Sequence, residues 1–139
     1  MTKRTFLILS LLSLSLFFGC ELIRLTERSK TTIKPNPQNS IGTVYLFIQE
    51  VKNNNHFGAT KLFIIKDTSL NAEEIYDITD KIQRFGRNIS NREISGYKID
   101  TLNSVEHLVF IEFDYLYEYF FVTKKVQDLW FIQNFGEKK

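Results

Sequence analysis

Cysteine is almost missing from this chain: Cys20 is the only one in 139 residues. No internal disulfide can form, so whatever folds must be held by an apolar core. Histidine is nearly as scarce. His56 and His107 are the only two, and neither a His-Glu-x-x-His nor a Cys-x-x-Cys spacing can be written, which argues against a metal centre. Gly42, Gly58, Gly86, Gly96 and Gly136 are scattered singly, so no phosphate-cradling loop is present. No catalytic set and no cofactor are expected from this inventory.

The longest apolar run lies at the N-terminus. Lys3 and Arg4 precede an uninterrupted apolar and serine stretch from Phe6 to Phe18, and Gly19 stands before Cys20. This is the build of an export signal, with Met1 to Gly19 as the removable part. Gly19-Cys20 resembles the end of a bacterial lipoprotein signal, in which the cysteine is acylated and becomes the mature N-terminus. Phe17 and Phe18 depart from that pattern, which wants leucine three before the cysteine and a small residue two before it. A simple secretory signal and an uncleaved anchor are the alternatives. Phe17 disagrees with an A-x-A-like cleavage site, and the run is shorter than the ~20 residues of a spanning helix. The lone cysteine supports acylation, because lipid removes an otherwise unpaired thiol. The expected location is the bacterial cell envelope, with Cys20 as lipid attachment point and the membrane as its partner.

Charge of one sign is also missing. Removing Lys3 and Arg4 from eighteen basic residues balances the rest against sixteen acidic ones. A nucleic-acid partner is disfavoured, since no basic excess remains to neutralise phosphates. Residues 20–39 read as the lipidated N-terminus and a flexible tether, with both prolines, Pro35 and Pro37, near its end. The remaining residues, 40–139, are long enough for one domain with a real core.

The first half of that domain predicts helices. Ser40 is a candidate cap for a helix carrying Ile41, Val44, Tyr45, Ile48 and Val51, stopped by Asn53-Asn54-Asn55. A second short helix follows Asn55 and ends near Lys66. The third has the fullest pattern: Asn71 as cap, Glu74 at the capping-box position, Leu70 stapling onto Ile75, and Ile75, Ile78, Ile82 and Phe85 as one stripe closed by Gly86.

Beyond Gly86 the period changes from helical to alternating. Ile94–Leu102 and Val105–Tyr117 are expected strands, the second with Val105, His107, Val109, Ile111, Phe113, Tyr115 and Tyr117 on one face. Phe120–Val126, a tight turn at Gln127-Asp128, and Leu129–Phe135 complete the set. Helices followed by an antiparallel meander predict an α+β fold, with N-terminal helices packed against a curved antiparallel sheet of about four strands.

Several residues carry a family resemblance. The segment Asn55–Phe63, the helix end at Phe85-Gly86, the strand Val109–Phe113 and the terminal Asp128-Leu129-Trp130-Phe131-Ile132 together resemble small cystatin-like/NTF2-like lipoprotein domains. The resemblance covers Ser40 to Phe135. It implies a sheet that pairs through its open face, and hence a homodimer or an envelope protein as partner.

Two functional readings follow. The first is a non-catalytic binding or structural module of the envelope. The second is a small enzyme or ligand-pocket protein of the same fold, with His107, Tyr115, Tyr117 and Trp130 lining the sheet concavity. Against it, Glu112 and Asp114 alternate onto the face opposite His107, which leaves the histidine without a carboxylate. Trp130 is expected chiefly to cover the open side of the curved sheet.

Overall fold

The computed structural model describes residues 33–63 and 72–138. The export signal, Cys20 and the expected Leu70 and Asn71 cap lie outside the described residues, whereas the second helix, expected to end near Lys66, stops at Thr60 with Lys61 as its cap because Phe63 is drawn into a bridge with Ile132 of the last strand. The helices α1 (Ser40–Lys52), α2 (His56–Thr60) and α3 (Ala72–Ile89) precede four strands, β1 (Ile94–Asn103), β2 (Glu106–Phe113), β3 (Tyr117–Val126) and β4 (Leu129–Glu137). The strands form one antiparallel meander in the order β1-β2-β3-β4, not closed into a barrel, with the helices packed on one face. The fold is α+β. No helix among the described residues is long and apolar enough to cross a membrane.

Helix α1 starts where a side chain can take up a free backbone donor. Asn39, in extended conformation, accepts from the Gly42 N–H at 2.7 Å. Asn39 therefore caps the helix in place of Ser40, whose hydroxyl is engaged elsewhere. Val44, Phe47, Ile48 and Val51 then recur at helical spacing and are buried. Asn53 caps the end and Asn54, at φ 57°, turns the chain out of the helix as its sequence suggested. Helix α3 runs on through Gly86 to Ile89. The reason is the stripe itself, since Ile82, Phe85 and Ile89 are all buried and stopping at Gly86 would leave Ile89 out of the core. Ile75, at the other end of the stripe, is exposed.

The concave face of the sheet carries Val109, Ile111 and Phe113 from β2, Tyr119, Phe121 and Thr123 from β3, and Trp130, Ile132 and Phe135 from β4. The change from even to odd numbers along β4 has a local cause. Thr123 pairs with Ile132 and Val122 with Asn134, so Gln133 is an extra residue, a bulge that turns Phe135 inward. Phe135 then stacks on Phe121 at 5.7 Å between centroids and joins Phe47, Phe63 and Phe85 in one aromatic cluster. The concavity is filled by these rings.

The expected strand Val105–Tyr117 is shorter than its alternation suggested. It breaks at a turn in which the Leu116 N–H bonds the Phe113 carbonyl and both central residues, Asp114 and Tyr115, have positive φ. That is a type I′ geometry, usually built from Asn and Gly. A bulky Tyr115 at φ 60° is strained there, and Glu93 together with the start of β1 offsets the strain. The Asp114 side chain accepts from the Glu93 N–H, the Asp114 N–H donates to the Glu93 carbonyl, and the Ser95 hydroxyl accepts from the Tyr115 N–H at 2.9 Å.

The folded unit begins at Ile33, upstream of the boundary expected at Ser40. The Pro37 carbonyl accepts from the Trp130 N–H and the Leu62 carbonyl from the Ile132 N–H, each at 2.8 Å, so two chain segments lie along the outer edge of β4. Residues 33–39, expected as the end of a mobile tether, are thereby part of the domain.

Candidate functional site

His107 sits near the start of β2, in register with Thr101 on one side and Thr123 on the other. Three contacts fix it. Its Nδ1 shares a 2.8 Å hydrogen bond with the Ser40 hydroxyl, its ring lies 4.2 Å from the Trp130 ring between centroids, and its carbonyl accepts from the Thr123 hydroxyl. Around this group, the buried Thr43 hydroxyl spans the Asn39 and Trp130 carbonyls. The first turn of α1 and the first residues of β2 and β4 are thus joined by polar contacts at one end of the sheet.

A serine hydroxyl on a histidine nitrogen is the geometry of an activated nucleophile. Reach and orientation decide against that role here. Ser40 is only 3% exposed, so a substrate carbonyl has no approach to its oxygen. The orienting third group is also lacking, because among the described residues no carboxylate bonds the His107 ring. Glu112 bonds the Ser95 hydroxyl, and Asp114 is held in the turn at the far end of β2. The arrangement is a clasp between helix and sheet.

Of the four residues expected to line a pocket, the structure brings together His107 and Trp130. Tyr115 stands in the β2–β3 turn and is 69% exposed. Tyr117 opens β3 opposite Phe113, with the Arg92 guanidinium 3.3 Å above its ring centroid. Both lie at the other end of β2 from His107, roughly 20 Å away at the rise of a strand. The hidden turn is the reason, since it removed Tyr115 and Tyr117 from the alternation that aligned them with His107. Sequence reasoning missed Ser40 as a partner because its position beside a helix start already gave its hydroxyl a role.

Burial alone holds the His107 imidazole below its ordinary value of 6.5. In the unfolded chain that ring takes up its proton at higher pH than in the folded one, so between the two values the unfolded state binds more protons. His107 therefore supports full stability above pH 6.5, and stability falls as the pH is lowered from there toward the depressed folded-state value. Urea unfolding of the wild type and His107→Gln from neutral to mildly acidic pH checks this. The wild type is expected to lose stability more steeply, and parallel curves would remove His107 as the cause.

No group of His, Cys, Asp or Glu side chains among the described residues is placed to hold a metal ion. No family model matches the chain, and no curated protein is similar to it in sequence.

Proposed function

We propose that the chain is a cell-envelope lipoprotein, held to a membrane by lipid on Cys20, whose cystatin-like/NTF2-like domain is a binding or structural module and not an enzyme. The observation that carries the non-catalytic reading is the filled concavity. Where a pocket protein of this build keeps space for a substrate, Phe47, Phe85, Phe121 and Phe135 meet ring to ring. His107 spends its Nδ1 on a buried serine. The anchor rests on the sequence: the positive Lys3-Arg4, the apolar Phe6–Phe18, Gly19-Cys20, and the lack of any second cysteine. One acyl chain binds a membrane only marginally, whereas several on one cysteine hold firmly.

Metabolic labelling with a lipid precursor tests the anchor. Wild-type protein is expected to incorporate label and partition with membranes, and Cys20→Ser to do neither. An unlabelled wild type would overturn the lipoprotein reading.

A further inference from the structure

The strand β1 differs from its neighbour in what covers it. Val109 and Ile111 of β2 are fully buried on the helix side of the sheet, but their partners in β1, Ile99 and Tyr97, are 36% and 44% exposed. Leu102, near the end of the strand, and Val105, in the turn after it, are exposed as well.

The backbone of the same stretch is also open. Along an antiparallel strand the residues alternate, each turning its N–H and C=O to the same side. Just before β2 the Val105 carbonyl accepts from the Lys125 N–H of β3, and just after it the Asp114 N–H donates to Glu93 ahead of β1. Odd-numbered residues of β2 therefore face β3, and even-numbered ones face β1. Leu108 and Phe110 bond their partners Asp100 and Lys98, which leaves the N–H and C=O groups of Tyr97, Ile99 and Thr101 pointing out of the sheet. Among the described residues no backbone group takes them up. The register from Gly96 to Thr101 is unbroken, between a shift at either end of β1, so this stretch can carry a regular ladder.

A second copy of the strand fits this edge, and charge selects the register. Antiparallel pairing about a two-fold axis sets each residue against one the same distance beyond the axis. An axis at Lys98 places that ammonium opposite its own copy, and an axis at Asp100 does the same with two carboxylates. Like charges directly opposite are destabilising. Axes at Tyr97 or Thr101 run the ladder across one of the register shifts. With the axis at Ile99, Lys98 stands opposite the second copy's Asp100 and Asp100 opposite its Lys98. Lys98 and Asp100 pair at 2.9 Å within one copy, so the two copies together form a square of alternating sign. In that register the outward-facing residues also match: Ile99 meets Ile99, and Tyr97 meets Thr101, each pair exchanging both backbone hydrogen bonds.

We propose that two copies of the chain pair antiparallel through β1 about a two-fold axis at Ile99, joining their sheets into one. The surface is the edge of the sheet, distinct from the open face that the family resemblance implies. It gives the proposed binding or structural module a partner without depending on lipid at Cys20.

The test is sedimentation of the full chain in neutral detergent, followed over the micromolar range. The wild type is expected to be a dimer. Lys98→Asp and Asp100→Lys each set like charges opposite one another, and each is expected to weaken dimerisation tenfold or more. Both positions lie on the face away from the helices, so the circular dichroism of each variant is expected to match the wild type. An equimolar mixture of the two variants restores opposite signs across the axis and is expected to dimerise like the wild type, an outcome that neither a folding defect nor association through the N-terminal apolar run reproduces. The proposal is overturned by a wild type that is monomeric throughout, by single variants that dimerise like the wild type, or by a mixture that stays monomeric. Failure of the lipid label at Cys20 leaves these outcomes untouched, so the two readings fail separately.

Discussion

Phe47→Ala is expected to lower the unfolding free energy by about 3–5 kcal/mol, the range for removing a buried aromatic ring. Phe47 is fully buried and its ring meets those of Phe63, Phe85, Phe121 and Phe135 at 5.3 to 5.9 Å between centroids. Those partners come from the segment after α2, from α3, from β3 and from β4, so one truncation opens a void against every layer of the domain. The void cannot collapse cheaply, because Phe121 and Phe135 are fixed by strand pairing to each other. A domain of this size has roughly 5–15 kcal/mol of stability in total, and the variant is left close to unfolding at physiological temperature. Denaturant titration monitored by the far-ultraviolet signal reads the change directly. A loss below about 1 kcal/mol would mean that the cluster is not packed as described.

Gly42→Val is expected to cost about 2–4 kcal/mol, the sum of overpacking and a lost helix cap. A helical glycine is ordinarily a weak point, and replacing it with alanine in an open helix gains up to about 1 kcal/mol. At position 42 the surroundings reverse that sign. A Cβ would come within 2.6 Å of the Asn36 carbonyl oxygen and 2.9 Å of the Asn39 side-chain oxygen, and the first of these is backbone that cannot rotate away. Relief requires residues 34–39 to move, which breaks the Asn39 cap and the Asn36 N–H bond to the Gly42 carbonyl together. Thermal unfolding distinguishes the possibilities, since a variant as stable as the wild type would show that the segment before α1 is loosely attached.

Much of this fold is legible from side-chain period alone. The α1 and α3 stripes, the alternation along β2, and the Gln127-Asp128 turn were all placed from residue pattern, because each is dictated by neighbours within a few positions. The misplacements share a different origin. The Asp114-Tyr115 turn carries no Gly, Pro or Asn and holds its shape through Glu93 and Ser95, some twenty residues away. Similarly, the inward turn of Phe135 depends on the bulge at Gln133, which local composition does not announce. Ser40 exchanged an expected local role for a bond to His107 across 67 positions.

The outer edge of β4 illustrates a property of the assembled sheet. Its Trp130 and Ile132 N–H groups are taken by Pro37 and Leu62, and the Phe135 N–H by the Asn134 side chain. Among the described residues only β1, with Lys98 and Asp100 along it, keeps an open edge for another strand. Growth of the sheet by strand addition is therefore self-limiting. Two chains that join through β1 use up the open edges of the described residues, which leave no second edge from which the open-ended stacking that leads to fibres could continue.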